Sequence, residues 1–192
     1  MPKPVSSSRF AAKRQIDRLF FAIFPDALTA ERIENLGQHL CTTPDVKGRT
    51  LARDRFHVSL YHVGDYEGVP QDIVAMAEEA AATVTVPAFQ VAFDHMMSFS
   101  GRPGHRPLVL RSSSDMAGLM AFQTTLSLAM EKVMPGHKGG ARFNPHLTVL
   151  YGDHRIEHTV ESIAWIVHEF VLVHSLVGRT RYVPLKRWPL RN

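Results

Sequence analysis

The chain holds one cysteine, Cys41, in 192 residues. A single thiol forms no intramolecular disulfide and builds no cysteine-rich zinc site. That scarcity fits a reducing compartment, and the cytoplasm is the expected location. No apolar run reaches the ~18 residues that a membrane-spanning helix needs, so no membrane partner is expected. Residues 1–17 lack the apolar core of a secretory signal. Pro2, Pro4, Ser6 to Ser8 and several basic side chains make them read as a disordered basic leader, ahead of one domain over 18–192. An acidic excess is missing too. Lys and Arg number 22 against 18 Asp and Glu, for a net charge of +4. This mild basic excess gathers at the two ends and favours a polyanionic partner such as RNA, without establishing one.

What is present is a mixture of strand and helix signals. "RLFFAIF" (18–24) is an apolar, aromatic run suited to a central strand, and Pro25-Asp26 ends it and opens a helix to about residue 40. "TTPDVKGRT" (42–50) reads as a loop, and a strand is expected over 55–63. Pro70 suits the first turn of a helix over 71–84. "AFQVAFDHMMSF" (88–99) and "LVLRS" (108–112) read as a hairpin. Ser114 or Asp115 is expected to cap a helix reaching Met134. The tail (163–190) reads as strands with a turn near Gly178-Arg179. Strands and hairpins mixed with a few helices argue for an α+β fold with helices packed on antiparallel sheet. His95, His168 and His174 fall in apolar strand patterns and read as structural, and Phe143 as core.

Two strands share an unusual design. "RFHVSLYHVGD" (55–65) and "RFNPHLTVLYGD" (142–153) each carry His-x-Ser/Thr, an apolar residue after it, and a closing Gly-Asp. Side chains alternate along a strand, so His57 and Ser59 share one face while Phe56, Val58 and Leu60 take the other. His146 and Thr148 likewise oppose Leu147 and Val149. One such motif means little in a chain with 11 histidines; a second copy of the same design asks for a reason.

Two facing imidazoles can act as a base and an acid together, because histidine titrates near pH ~6.5. The base takes a proton from an attacking water and the acid gives one to a departing oxygen, as phosphodiester cleavage requires. The hydroxyls of Ser59 and Thr148 suit the non-bridging phosphate oxygens. A zinc site is the rival reading, with His57, His146 and a third ligand such as His62 or Asp153. It leaves the hydroxyls without a role, and His-x-His and His-Glu-x-x-His spacings are absent.

"RLFFAIFP", "FHVSLYHVGD" and "FNPHLTVLYGD" together resemble the two-histidine phosphoesterase superfamily, in its bacterial branch of 2′-5′ RNA ligases and RNA 2′,3′-cyclic phosphodiesterases. The resemblance runs from about Arg18 to Leu190. It implies two pseudosymmetric lobes of antiparallel sheet with outer helices around a central cleft, one motif per lobe. It implies hydrolysis of a terminal 2′,3′-cyclic phosphate to a 2′-phosphomonoester, with weak reverse 2′-5′ ligation, no metal and no cofactor. His57 and His146 would be the acid/base pair, Ser59 and Thr148 the phosphate anchors, and RNA 3′ ends or small cyclic-phosphate nucleotides the partners of a monomer. The alternatives are an RNA-end binding protein with vestigial activity, or the same chemistry on a small cyclic nucleotide.

One departure stands out. Many RNA-acting members carry an arginine five residues after the second histidine; here Tyr151 stands there, and His62 at the matching place after the first. In an unbroken strand Tyr151 faces away from His146, and a bulge would turn it back. Lys138 and Arg142, with His137, are candidate replacement cations before the second motif. Arg102, His105 and Arg106 are candidates in the hairpin turn.

Overall fold

The computed structural model describes residues 15–137 and 143–191. Most of the leader, and the candidates Lys138 and Arg142, lie outside the described residues. In chain order the elements are β1 (Asp17–Ile23), α1 (Ala27–Leu40), β2 (Lys47–Thr50), β3 (Val58–Tyr66), α2 (Gln71–Ala82), β4 (Phe89–Ser98), β5 (Arg106–Arg111), α3 (Ala117–Val133), β6 (Leu147–Asp153), β7 (Glu157–Val167), β8 (Glu169–Leu176) and β9 (Arg181–Pro189). Every pairing among these strands is antiparallel. The α+β expectation therefore holds. No described helix is long and apolar enough to cross a membrane.

The strands run in the order β7-β4-β5-β6-β3-β1-β8-β9, with β2 added against β6. The centre of this order is narrow. β3 and β6 share a single partnered pair, Val58 with Leu147. Beyond it they part, β3 lying along β1 and β6 along β2 and β5. Each motif thus begins at the one point where the two halves of the sheet touch.

The helices cover one face. α1 packs on β2, β6 and β7, α3 on β3 and β4, and α2 on α3 and β9. Beneath them runs one continuous core that takes Phe21 from β1, Val58 from β3, Phe93 from β4 and Val149 from β6. Burying such a side chain contributes about 1.5–3 kcal/mol. The opposite face of β1 and β8 holds a small apolar patch of Phe20, Ala22, Val171 and Val173, with Phe24 and Tyr182 against it.

Several boundaries differ from the sequence reading. Arg53–Arg55 form a 3-10 turn and β3 begins only at Val58, so His57 stands one residue before its strand. His146 likewise stands just before β6. β2 falls where a loop is expected; its four residues, KGRT, show no apolar alternation, and pairing with β6 alone makes them a strand. Neither Ser114 nor Asp115 caps α3, whose flanking residue is Met116 with no side-chain cap. The serines are engaged otherwise: Ser113 donates to Asp94, and Ser112 and Ser114 share a hydrogen bond. α1 follows expectation, with the Asp26 carboxylate accepting from the Thr29 N–H at 2.8 Å. His168 is exposed in the one-residue gap where the chain leaves β7 for β8, so the apolar-strand reading fails there. His174 is structural as expected, its Nε2 lying 2.6 Å from the largely buried Asp17. Phe143 is half-buried against the main core.

Candidate active site

The Val58–Leu147 pair sets the geometry. His57 and Ser59 flank Val58, and His146 and Thr148 flank Leu147, so all four stand next to this one pair. Phe56, Val58, Leu60, Leu147 and Val149 are all buried at 3% exposure or less. The two histidines and two hydroxyls are therefore turned to the face away from the helices.

Both imidazoles are anchored alike. His57 Nδ1 lies 2.8 Å from the carbonyl oxygen of Arg55, and His146 Nδ1 lies 2.8 Å from that of Asn144. A carbonyl only accepts, so each Nδ1 carries a proton, and each ring directs its Nε2 away from that anchor. At His57, Nε2 lies 3.1 Å from the Ser59 hydroxyl. Thr148 makes no hydrogen bond through its hydroxyl among the described residues. Aromatic rings hold the imidazoles sideways. Phe20, Phe24 and Tyr182 stand 5.3, 6.0 and 5.2 Å from the His57 ring, and Phe99 stands 5.1 Å from the His146 ring.

The surroundings of His57 are apolar enough to matter. Desolvation pushes its pKa down to about 4, and positive charge on Arg55 and His146 adds to the shift; the hydrogen bond to the Arg55 carbonyl opposes it. His57 is thus neutral at pH 7.

Tyr151 and His62 do return to the face of the histidines, because both strands are bulged. On β6 the register slips between the pairs Leu108–Leu150 and Val109–Thr148, leaving Val149 extra. Val149 and Leu150 are consecutively buried, and Tyr151 re-emerges. On β3 the register slips at Leu60, and Leu60 and Tyr61 are both buried before His62 re-emerges. Tyr151 stacks on His105, with ring centroids 4.5 Å apart and planes 11° apart. His62 Nε2 lies 3.0 Å from Asp65.

The closing Gly-Asp pairs lock the strand ends. Asp65 takes two hydrogen bonds from Arg18, both at 2.7 Å. Asp153 accepts from the Gly104 N–H at 2.7 Å and pairs with Arg106 at 3.6 Å. The proposed third zinc ligands are therefore engaged elsewhere, and no group of three metal-ligating side chains is assembled among the described residues. Of the hairpin cations, Arg106 is held by Asp153, His105 by Tyr151, and Arg102 is exposed. His137 Nε2 lies 3.3 Å from the carbonyl of His62.

Sequence reasoning missed the second ring of residues. Arg55 lies 4.1 Å over the Tyr182 ring and donates to its hydroxyl at 3.2 Å. Arg111, on β5, reaches Met97 Sδ at 3.7 Å. Each keeps a buried Nε without a partner. His154 is buried and bridges Ser98 Oγ at 2.7 Å and the Arg106 carbonyl at 3.0 Å, with desolvation lowering its pKa. Arg55 opens the first motif and His154 follows the second, so their positions are visible in the sequence but not their partners; Arg111 comes in only through strand pairing. A cleft of about 630 Å³ is lined by Phe24 and Tyr182 of the rings around His57 together with Val173, Pro184, Arg53 and His168; neither histidine of the paired motifs lines it.

Known proteins share this architecture. The chain is 27% identical over 187 residues to the RNA 2′,3′-cyclic phosphodiesterase of Escherichia coli strain K12, covering 90% of this chain and 96% of that one. The crystal structure of E. coli LigT complexed with phosphate superposes with a TM-score of 0.67 at 26% identity, over 93% of this chain and 99% of that one. A protein of Thermus thermophilus, at 17% identity and a TM-score of 0.70 over 91% of this chain and 98% of that one, shares the fold. The family model described as the 2′-5′ RNA ligase superfamily matches residues 24–179, and the chain belongs to that superfamily.

Proposed function

We propose that this protein is an RNA 2′,3′-cyclic phosphodiesterase whose acid/base pair is His57 and His146, facing one another across a cleft between two lobes of sheet. The observation that carries the reading is the Val58–Leu147 pair, which sets two identically anchored histidines and two hydroxyls on one face. The relatives support the substrate class. One is named for cyclic phosphodiesterase activity, and LigT crystals hold phosphate, 3′-AMP and ATP.

His57, neutral at pH 7, is the base. Its Nε2 takes a proton from water, the water oxygen bonds to phosphorus, and the bond from phosphorus to O3′ breaks. His146, protonated at Nε2, gives its proton to O3′. The products are a 2′-phosphomonoester and a free 3′-hydroxyl. Ser59 turns from His57 toward a non-bridging oxygen, and Thr148 donates to another. Weak reverse ligation follows when a ribose 5′-hydroxyl takes the place of water. Phe24 and Tyr182 give the bound nucleotide an apolar wall.

The direct assay supplies an oligoribonucleotide ending in a 2′,3′-cyclic phosphate and identifies the product by mass and by its 2′- or 3′-phosphate. A 2′-phosphate is expected. No turnover, or a 3′-phosphate product, overturns the reading. One observation favours smaller substrates: Tyr151, stacked on His105, offers a flat surface where an arginine would offer charge. Comparing kcat/KM for the oligonucleotide and for a 2′,3′-cyclic mononucleotide decides between them.

A further inference from the structure

Strand register places a cation beside His146. β5 pairs with β6 through Val109–Thr148 and Leu110–Leu147, where the ladder ends, and the residues next beyond that last pair are Arg111 and His146. On its other edge Arg111 pairs with His95, as Val109 does with Met97. Leu108 and Leu110 are fully buried on the helix side, so Arg111 shares the face of His146 and Thr148.

This guanidinium is half-buried and poorly satisfied. Its Nε is buried with no hydrogen-bond partner, and its Nη1 reaches the Met97 thioether at 3.7 Å, a weak acceptor. Five arginines pair with a carboxylate, Arg18 with Asp65, Arg32 with Glu161, Arg53 with Glu34, Arg106 with Asp153 and Arg187 with Glu169, while others such as Arg102 and Arg179 are exposed. Arg111 has no carboxylate partner among the described residues. The segments beyond them, 1–14, 138–142 and residue 192, contain no acidic side chain. Arg55 also keeps a buried Nε unpaired, but Tyr182 holds it by ring and hydroxyl. A partly buried cation with neither counter-charge nor full hydrogen bonding destabilises the fold until an anion arrives.

We infer that Arg111 binds a non-bridging oxygen of the substrate phosphate, supplying from β5 the charge that Tyr151 does not supply from β6. The inference takes its ligand from the phosphodiesterase reading above. The guanidinium leans toward Met97 on β4, on the side of β5 away from Thr148, so binding the phosphate held at that hydroxyl takes a rotation of the side chain back across β5. A planar fork of donors suits that task better than a phenol does.

The test is calorimetric titration of inorganic phosphate into the full chain at low salt, for wild type, Arg111→Met and Arg111→Gln, with circular dichroism to confirm folding. Loss of a charge-assisted hydrogen bond predicts roughly 10- to 100-fold weaker phosphate binding in both variants. The ligand-free melting temperature of Arg111→Met is expected to stay level or rise, since an uncompensated cation has been removed. A folded Arg111→Met or Arg111→Gln that binds phosphate as tightly as wild type overturns the inference. Because this readout needs no turnover, the two ideas fail separately. Wild type that binds phosphate through Arg111 yet hydrolyses no cyclic phosphate sinks the activity alone. Wild type that hydrolyses while Arg111→Met keeps full phosphate affinity sinks Arg111 alone.

Discussion

At His57, aromatic packing and the proposed catalysis act on the same proton. Three rings around the imidazole remove water from it and lower its pKa to about 4, against the usual 6.5. Linkage fixes the sign of the consequence. Between pH 6.5 and about 4 the unfolded chain takes up a proton that the folded chain refuses, so stability falls as pH drops through this window and levels below it. Urea midpoints of wild type and His57→Gln between pH 7 and 4 check this; the variant is expected to lose much less over the window. Parallel curves for the two proteins contradict it. The paired histidines and hydroxyls were legible in the sequence because the design occurs twice. Arg55 opens the first of those motifs, but its contact with Tyr182 was not legible, and Arg111 was not legible at all. Arg111 stands next beyond the last β5–β6 pair, Leu110–Leu147, as His146 does on the other strand, a neighbourhood that no local pattern encodes.

At the scale of the element, the bulges decide which side chains reach the site. Each follows directly after the hydroxyl residue, and each shows as two consecutive buried residues, Leu60-Tyr61 and Val149-Leu150. Those doubled apolar positions were visible in the sequence, but their effect on Tyr151 and His62 needed the register. The paired glycines look equivalent in the sequence and are not. A Cβ on Gly152 would stand 2.2 Å from the Lys47 carbonyl oxygen and 2.5 Å from Gly48 Cα, both backbone. A Cβ on Gly64 would meet the phenol end of Tyr66, at 2.3 Å, which can swing aside. Gly152→Ala is therefore expected to cost about 1–3 kcal/mol, as overpacking does, and to raise KM by shifting β2 and Tyr151. Gly64→Ala is expected to cost less. Urea denaturation and steady-state kinetics on the pair measure the contrast, and equal effects would contradict it. β2 itself escaped the sequence reading because a polar four-residue strand exists only by virtue of its partner.

At the scale of the molecule, the question is how two half-sheets joined at one residue pair hold a site together. The helices answer it. α3 packs on both β3 and β4, which lie on opposite sides of the Val58–Leu147 junction, and the apolar core beneath runs unbroken through both halves. A single cooperative unfolding transition follows. Trp165 on β7 and Trp188 on β9 report the two ends of the strand order, each stacked on a phenylalanine. Fluorescence of Trp165→Phe and Trp188→Phe, each corrected for its own stability, is expected to coincide with circular dichroism; two separate transitions would show that the halves fold independently. Phe21, which touches Phe170 and Trp188 from within this core, is expected to cost about 3–5 kcal/mol when cut to alanine. The α+β class was legible from mixed strand and helix signals. The strand order was not, because pairings such as β1 with β8 join residues about 150 positions apart and depend on the folded core.

The central claim is that His57 and His146 act as one acid/base unit on a cyclic phosphate. Turnover of an oligoribonucleotide ending in a 2′,3′-cyclic phosphate by His57→Ala, His146→Ala and the double variant tests it most directly. Each single variant is expected to lose roughly 10²- to 10⁴-fold in kcat, and the double variant little more than either, because removing one member already disables the pair. A single variant that retains wild-type kcat, or losses that simply multiply in the double variant, would contradict it.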